Sequence, residues 1–172
     1  MGLSLYQVTV PTYLQMLGAV SGLLDKAEAH CRDSNQPAET LIGARLADDM
    51  MPFAFQVSSL CHHAIGAIRG VSDGVFSPDT SSPPVDFAGL RRKVSDTIAA
   101  LEALDEEDVN QLQGKAMRFE FGDYRIEFVG ENFLLSFSQP NFYFHVTTAY
   151  DILRAKGLSI GKMDYMGQLR TS

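Results

Sequence analysis

The stretch that decides the fold reads PNFYFHVTTAYDILR, residues 140–154. Its apolar side chains recur at intervals of three and four residues, which places them on one face of an α-helix. They are Phe142, Val146, Ala149 and Leu153. Ser138 and Pro140 suit the start of such a helix, and Gly157 suits its end. The stretch therefore predicts a long amphipathic helix that buries one face against other helices.

The same helical spacing recurs in three segments further upstream. The predicted helices cover residues 9–32, residues 51–69, and residues 86 to the acidic cluster at 105–108, with a short helix over residues 40–47. In the first of them, Thr9 suits the N-cap and Pro11 suits the first turn. Gly18 and Gly22 suit the close approach of a neighbouring helix. Together the segments predict a mainly all-α protein, a four-helix bundle formed by residues 1–172 as a single domain.

Residues 117–128 change to an alternating pattern, which predicts a small β-hairpin around the turn Gly122-Asp123. A two-residue turn sets the cross-strand pairs. These pairs are Phe121 with Tyr124, Glu120 with Arg125, Phe119 with Ile126, and Arg118 with Glu127. One face is then apolar and the other pairs opposite charges. The apolar face is expected to cover either one end of the bundle or a second subunit.

The composition argues against several classes of function. A formal net charge of -7 is unfavourable for general binding to nucleic acid or anionic lipid. No apolar run approaches a membrane span, and the N-terminus lacks the pattern of a signal peptide. Cys31 and Cys61 lack metal-type spacing and are expected to be buried thiols. A cytoplasmic protein with no nucleic-acid or membrane partner is predicted.

Histidines are the main candidates for chemistry, and His145 lies beside the apolar stripe of its helix. His62 and His63 flank the stripe of the second helix, so at most one of them is expected to approach His145. A metal site in a bundle normally requires three or more donors from facing helices. The residue four positions after His145 is Ala149, which cannot bind a metal. A complete zinc site of ordinary type is therefore not predicted.

Three segments carry a resemblance to a known family. They read DDMMPFAFQV (residues 48–57), PNFYFHVTTAYDILR (residues 140–154) and GLSIGKMDYMG (residues 157–167). In these segments the chain resembles the family called domain of unknown function 1993, within the DinB/YfiT-like helical bundles. The resemblance implies a DinB-like, often homodimeric bundle and brings no established activity.

In the wider superfamily, the resemblance implies a divalent metal held by three histidines, and low-molecular-weight thiols as cosubstrates in some members. His145 matches the first histidine of the pair on the last helix, and His62 or His63 matches the ligand on the second helix. Ala149 stands where the second histidine of the pair is expected.

Three functional hypotheses follow. The first is a dimeric small-molecule-binding or interaction protein without a cofactor, whose unknown ligand lies near His63, His145 and Tyr150. The alternative is a metal-dependent thiol transferase or isomerase that binds zinc or nickel through His145 and His62 or His63. The third is a purely structural protein in which the hairpin contributes to an interface. Whether the protein is an enzyme is not decided by the sequence.

Overall fold

The computed structural model describes residues 2–171, which are mainly helical and include a small three-stranded sheet. The helices are α1 (Leu5–Asp33), α2 (Glu39–Ile42), α3 (Phe53–Cys61), α4 (Ala67–Asp73), α5 (Phe87–Glu102), α6 (Glu106–Asn110), α7 (Gly130–Asn132), α8 (Gln139–Ala155) and α9 (Lys162–Met166). The strands are β1 (Val75–Phe76), β2 (Ala116–Phe121) and β3 (Tyr124–Val129). Two π-helical turns, His62–Gly66 and Phe133–Ser138, connect α3 to α4 and α7 to α8.

The core lies between the long helices. α3 packs on α8 and α1 packs on α5, while α3 also contacts α5 and α1 also contacts α8. The apolar stripe of residues 140–154 is fully buried, with Phe142, Val146 and Leu153 at 0% exposure. Burial of large apolar side chains is the main favourable contribution to folding. The prediction of a helix that buries this face is confirmed.

The start of α1 differs from the prediction. The N-cap is Ser4, whose side chain accepts a hydrogen bond from the Gln7 backbone while the Gln7 side chain accepts one from the Ser4 backbone. Thr9 lies inside the helix, where its hydroxyl donates to the Leu5 carbonyl oxygen at 2.7 Å. Pro11 is also interior. The reciprocal cap satisfies two backbone donors at once, so it prevails over the single cap that Thr9 offers.

Gly18 and Gly22 do not mediate close helix packing, because an added Cβ at either position would meet nothing within 4 Å. Both lie on the exposed side of α1. Glycine in a helix interior costs about 0.5–1 kcal/mol relative to alanine. Gly18→Ala and Gly22→Ala are each expected to raise the free energy of unfolding by about that amount, measured by urea denaturation. A loss of stability in either variant would contradict this placement.

The second helical segment does not stop at residue 69, just before Gly70, as the sequence predicted. It continues to Asp73 and ends at Gly74, whose φ of 81° is left-handed. Gly70 serves packing instead, since a Cβ there would lie 2.9 Å from the Cβ of Phe76. The chain then forms β1, which pairs in parallel with β2, placing Phe76 opposite Phe119. The sequence predicted no strand here, between the second and third helical segments.

The hairpin is confirmed, with the predicted pairing register. The burial of its apolar face decreases from base to tip. Met117 is 2% exposed, whereas Phe121 and Tyr124 near the turn are 58% and 61% exposed. The base of the hairpin therefore covers the helical core, and its tip extends beyond the core.

Several smaller predictions can be compared with the structure. Asp86 caps α5 as predicted, accepting from the Gly89 backbone N–H at 2.6 Å. Asp105 caps the short helix α6, so the acidic cluster starts a helix. The short helix predicted over residues 40–47 covers only Glu39–Ile42. Among residues 2–171, no helix combines the length and the apolar character needed to cross a membrane.

Candidate functional site

The two π-helical turns face each other and fix the position of His63. His63 lies in the first turn, and Ser138 ends the second. The Ser138 hydroxyl donates to the His63 carbonyl oxygen at 2.9 Å and also contacts His63 Nδ1 at 3.1 Å. Because the hydroxyl proton is used in the first bond, the ring must donate in the second. His63 is therefore protonated on Nδ1, which leaves a lone pair on Nε2.

Gln56 fixes His145 in the same way. The Gln56 side-chain amide donates from Nε2 to the Met51 carbonyl oxygen at 2.8 Å. This bond turns Gln56 Oε1 toward His145 Nδ1, at 2.7 Å. An amide oxygen only accepts hydrogen bonds, so His145 donates from Nδ1 and its Nε2 also carries a lone pair. The two histidines thus share one tautomer.

The two rings form a pair at the contact between α3 and α8. Their centroids are 5.7 Å apart and their planes differ by 23°. Burial lowers the pKa of His63 to about 3, and the charges of His145 and His62 contribute to the shift. Burial also lowers the pKa of His145 to about 4. Both rings are therefore neutral at physiological pH. Among the described residues, neither Nε2 atom has a hydrogen-bond partner.

Aromatic rings surround this histidine pair. Phe76 and Phe137 lie 5.3 Å and 6.2 Å from His63, measured between ring centroids. Phe55 and Phe144 lie 6.1 Å and 5.3 Å from His145. Both histidines are half-buried, so one side of the pair remains accessible to solvent. The site combines two neutral hydrogen-bond acceptors with apolar walls.

Of the two other residues singled out in the sequence, His62 adjoins His63, with ring centroids 6.1 Å apart, whereas Tyr150 lies away from the pair. His62 Nε2 contacts the Ser77 carbonyl oxygen at 2.7 Å, and its ring stacks on Phe76 at 4.5 Å. This nitrogen is therefore engaged in anchoring the loop that follows β1. Tyr150 packs against Tyr165 with ring centroids 5.8 Å apart and lines a separate cavity of about 270 Å³.

Comparison with known proteins assigns the family. The model of the family described as "Domain of unknown function (DUF1993)" matches residues 5–166. The chain belongs to the DUF1993 family. Its fold is similar to that of a DinB family member protein from Shewanella denitrificans, with 28% identity and a TM-score of 0.82. The match covers 98% of this chain and 94% of the other. No curated protein matches the chain.

The donor set of this DUF1993 protein does not fit the three-histidine metal centre that the superfamily implies. Within residues 2–171 there is no group of three His, Cys, Asp or Glu side chains placed to hold a metal ion. The pair offers two imidazole nitrogens, and Ala149 is buried at the position of the expected third donor. Cys61 is buried as well, and burial raises the pKa of its thiol to about 11. A metal would need donors beyond these side chains.

Surface cavities of the DUF1993 protein do not mark the histidine pair. A groove of about 750 Å³ lies between α1 and residues 167–171, and another of about 470 Å³ lies between α4 and α6. Neither is lined by His63 or His145. Cavity size and side-chain chemistry therefore point to different places. The pair is the candidate site on chemical grounds, because it has fixed tautomers and unused acceptor atoms.

Sequence reasoning missed Gln56 and Ser138, the two residues that orient the rings. Gln56 carried a usable signal, since it is a polar residue between the buried positions Phe53 and Leu60 of the same helix face. Buried polar groups are normally hydrogen-bonded, so a buried glutamine implies a specific partner. Ser138 was interpreted as a helix start. It lies inside continuous helical backbone instead, with φ -73° and ψ -44°.

A buried tyrosine adjoins this polar cluster from α1. Tyr13 is 0% exposed, and its hydroxyl has no hydrogen-bond partner among the described residues. Burial raises the pKa of Tyr13 far above its ordinary value, the charge of Tyr143 adds to the shift, and Ser138 partly offsets it. Ser138 therefore lies near the Tyr13 hydroxyl without forming a hydrogen bond of ordinary length.

Removing the Ser138 hydroxyl is expected to destabilise the protein. Ser138→Ala leaves the His63 Nδ1–H and the His63 carbonyl oxygen without their partner, which costs about 1–3 kcal/mol for buried groups. Ser136→Ala is the matched control, because Ser136 belongs to the same π-helical turn and is exposed. Urea denaturation measures the free energy of unfolding of both variants. Equal losses in the two variants would show that the hydroxyl of Ser138 has no special role.

Proposed function

We propose that this DUF1993 protein binds a small molecule at the His63–His145 pair. The observation that carries the proposal is the anchoring of both rings through Nδ1, which leaves two neutral Nε2 acceptors beside aromatic walls. Binding sites for small molecules are usually apolar with a few well-placed polar groups. The pair matches this description better than the open grooves elsewhere on the protein.

The surroundings of the pair favour an uncharged ligand that donates hydrogen bonds. The pKa of His145 is shifted by burial alone, and that of His63 by burial and the two other histidines. Neither shift involves a carboxylate, lysine or arginine. At neutral pH the two rings themselves offer an anionic ligand no positive charge. An alcohol or phenol would donate to one acceptor and a primary amide, with two N–H groups, to both, while the apolar part of the ligand would pack on Phe137 and Phe144.

We also infer that the long helices form the four-helix bundle expected of a DinB-like protein. In this assignment the four members are α1, the segment formed by α3 and α4, α5, and α8. Their mutual packing and the likeness to the DinB family member support it. The histidine pair then lies between the second and fourth members, a position where bundles commonly carry ligand sites.

The alternative is a metal-dependent thiol transferase or isomerase at the same histidines. Anchoring of Nδ1 by an oxygen acceptor is also how proteins orient metal-binding histidines. This function requires a third donor, which neither Ala149 nor His62 supplies as placed. We therefore propose the small-molecule-binding function first.

The test is a screen of neutral alcohols, phenols and amides by saturation-transfer NMR. Wild-type protein is expected to bind members of this set, and the double variant His63→Gln/His145→Gln is expected to lose them. Tyr150→Phe is the control, because Tyr150 lines a different cavity. Hits that survive in the double variant would place binding elsewhere. Retention of one zinc or nickel ion per chain after desalting would favour the metal-dependent alternative.

A further inference from the structure

The outer edge of the hairpin is an unpaired strand. The sheet order is β1-β2-β3, so β3 has a neighbour on one side only. Within residues 2–171, its backbone makes no hydrogen bond other than those to β2. An exposed edge strand presents a row of free N–H and C=O groups that pair readily with another strand. At six residues, β3 is long enough to do so.

The hydrogen-bond pattern of β2 identifies which residues of β3 point outward. The Arg118 N–H donates to the Gly74 carbonyl oxygen at 3.1 Å, away from β3. Arg118 is opposite Glu127, so this is a non-hydrogen-bonded pair and the backbone groups of Glu127 point to the open side. The pattern alternates along the strand. Arg125, Glu127 and Val129 therefore expose their backbone donors and acceptors.

We propose that a second copy of this chain pairs with this edge in antiparallel orientation, joining the two sheets through β3. A symmetric pairing must place outward-pointing residues opposite one another, and three of the possible centres bring charged residues of the two β3 strands face to face. Centring the two-fold axis on Arg125 or on Glu127 places like charges opposite each other, and such pairs are destabilising. Centring it on Ile126 pairs Arg125 with Glu127 of the second copy, twice. Only the last register is complementary in charge.

The side chains of β3 suit this register on both faces. Arg125 and Glu127 are exposed. Arg125 contacts Glu120 of β2 at 3.1 Å, whereas within the described residues Glu127 has no cation within ion-pair distance. On the opposite face, Tyr124 would lie across from Phe128 of the second copy, and the two Ile126 side chains would meet on the axis. Tyr124 is 61% exposed in the single chain. The pairing thus gives a closed, isologous contact of the kind that most homodimers use.

Complementary variants test the proposal with the full-length chain. Wild-type protein is expected to have the mass of a dimer at tens of micromolar in light scattering and sedimentation. Arg125→Glu gives a strand with two acidic residues, and Glu127→Arg gives a strand with two basic ones. Each variant alone is expected to weaken dimerisation at least tenfold. An equimolar mixture is expected to recover the dimer mass, because each basic strand then meets an acidic strand.

Two controls separate interface effects from other causes. Glu102→Arg changes the net charge as Glu127→Arg does but lies on an exposed position of α5, and it is expected to remain dimeric. Glu127→Pro removes an outward-pointing N–H, which an edge strand tolerates, and is expected to be monomeric with an unchanged circular dichroism spectrum. A monomeric wild type, or single variants that remain dimeric, would overturn the proposal. A mixture that stays monomeric would overturn the register.

Discussion

Phe133→Ala is expected to lower the free energy of unfolding by about 3–5 kcal/mol, the usual cost of truncating a buried phenylalanine. Phe133 is 0% exposed and lies where the sheet meets the helices. Its ring centroid is 5.2 Å from Phe76 on β1, 5.6 Å from Phe128 on β3, and 5.4 Å from Phe137. The substitution therefore removes contacts to two strands and to the wall of the histidine pair at once.

The matched control is Phe144→Ala on α8. Phe144 is 55% exposed and contributes little buried area, so the change is expected to stay within about 1 kcal/mol. Urea denaturation gives both values, and hydrogen exchange shows where protection is lost. In Phe133→Ala the amides of β2 and β3 are expected to exchange faster than those of α5. If Phe133→Ala lowered the free energy of unfolding by less than 1 kcal/mol, the surrounding side chains would have to fill the cavity, and the prediction would be wrong.

The elements that the sequence predicted well are those whose signals are local. The apolar spacing in residues 140–154 and the cross-strand charge pairs of the hairpin each depend on a few neighbouring residues. A slip of one residue would expose the apolar face of β2 and β3, so the register was strongly determined. These predictions held because local preference and tertiary packing favour the same structure.

The elements that the sequence missed depend on contacts between distant segments. β1 is only two residues long and exists because β2, about 40 residues later, offers it a partner. Glycine is common at the end of a helix, but at Gly70 the absence of a side chain allows Phe76 to pack closely. No local pattern distinguishes a glycine that ends a helix from one that allows close packing.

The choice between His62 and His63 could not be made from helical spacing. The sequence placed the two residues on opposite flanks of an ideal helix, whereas both lie in a π-helical turn, which changes the angular position of each side chain. His63 reaches Ser138 and His145, while His62 contacts Ser77. The partner Ser138 belongs to another π-helical turn 75 residues away. Because each π-helical turn is stabilised by contact with the other, neither segment alone carries a sequence pattern that predicts it.

The histidine pair is expected to make the protein sensitive to mild acid. In the folded state the pKa of His63 is about 3 and that of His145 about 4, whereas both are near 6.5 when unfolded. The unfolded chain therefore binds more protons from pH 6.5 down to about 4 at His145 and down to about 3 at His63, and stability falls as pH is lowered through this window. For His145 alone the loss is on the order of 2–3 kcal/mol, allowing for solvent at the half-buried ring.

The double variant His63→Gln/His145→Gln separates this effect from other acid-induced losses. Its urea unfolding free energy is expected to change much less between pH 6.5 and 4.5, even if its stability at pH 7 differs. His30→Gln is the control, because it removes a histidine from the last turn of α1 and should keep the wild-type slope. Carboxylates act at lower pH. The hydrogen bond with Ser81 is the main reason that the pKa of Asp79 is lowered from 3.8 to about 2. The stability that Asp79 contributes is therefore lost only as the pH falls below about 3.8. A wild-type protein with no slope in this window would show that the two rings accept protons without unfolding, and the neutral acceptor pair would then be wrong.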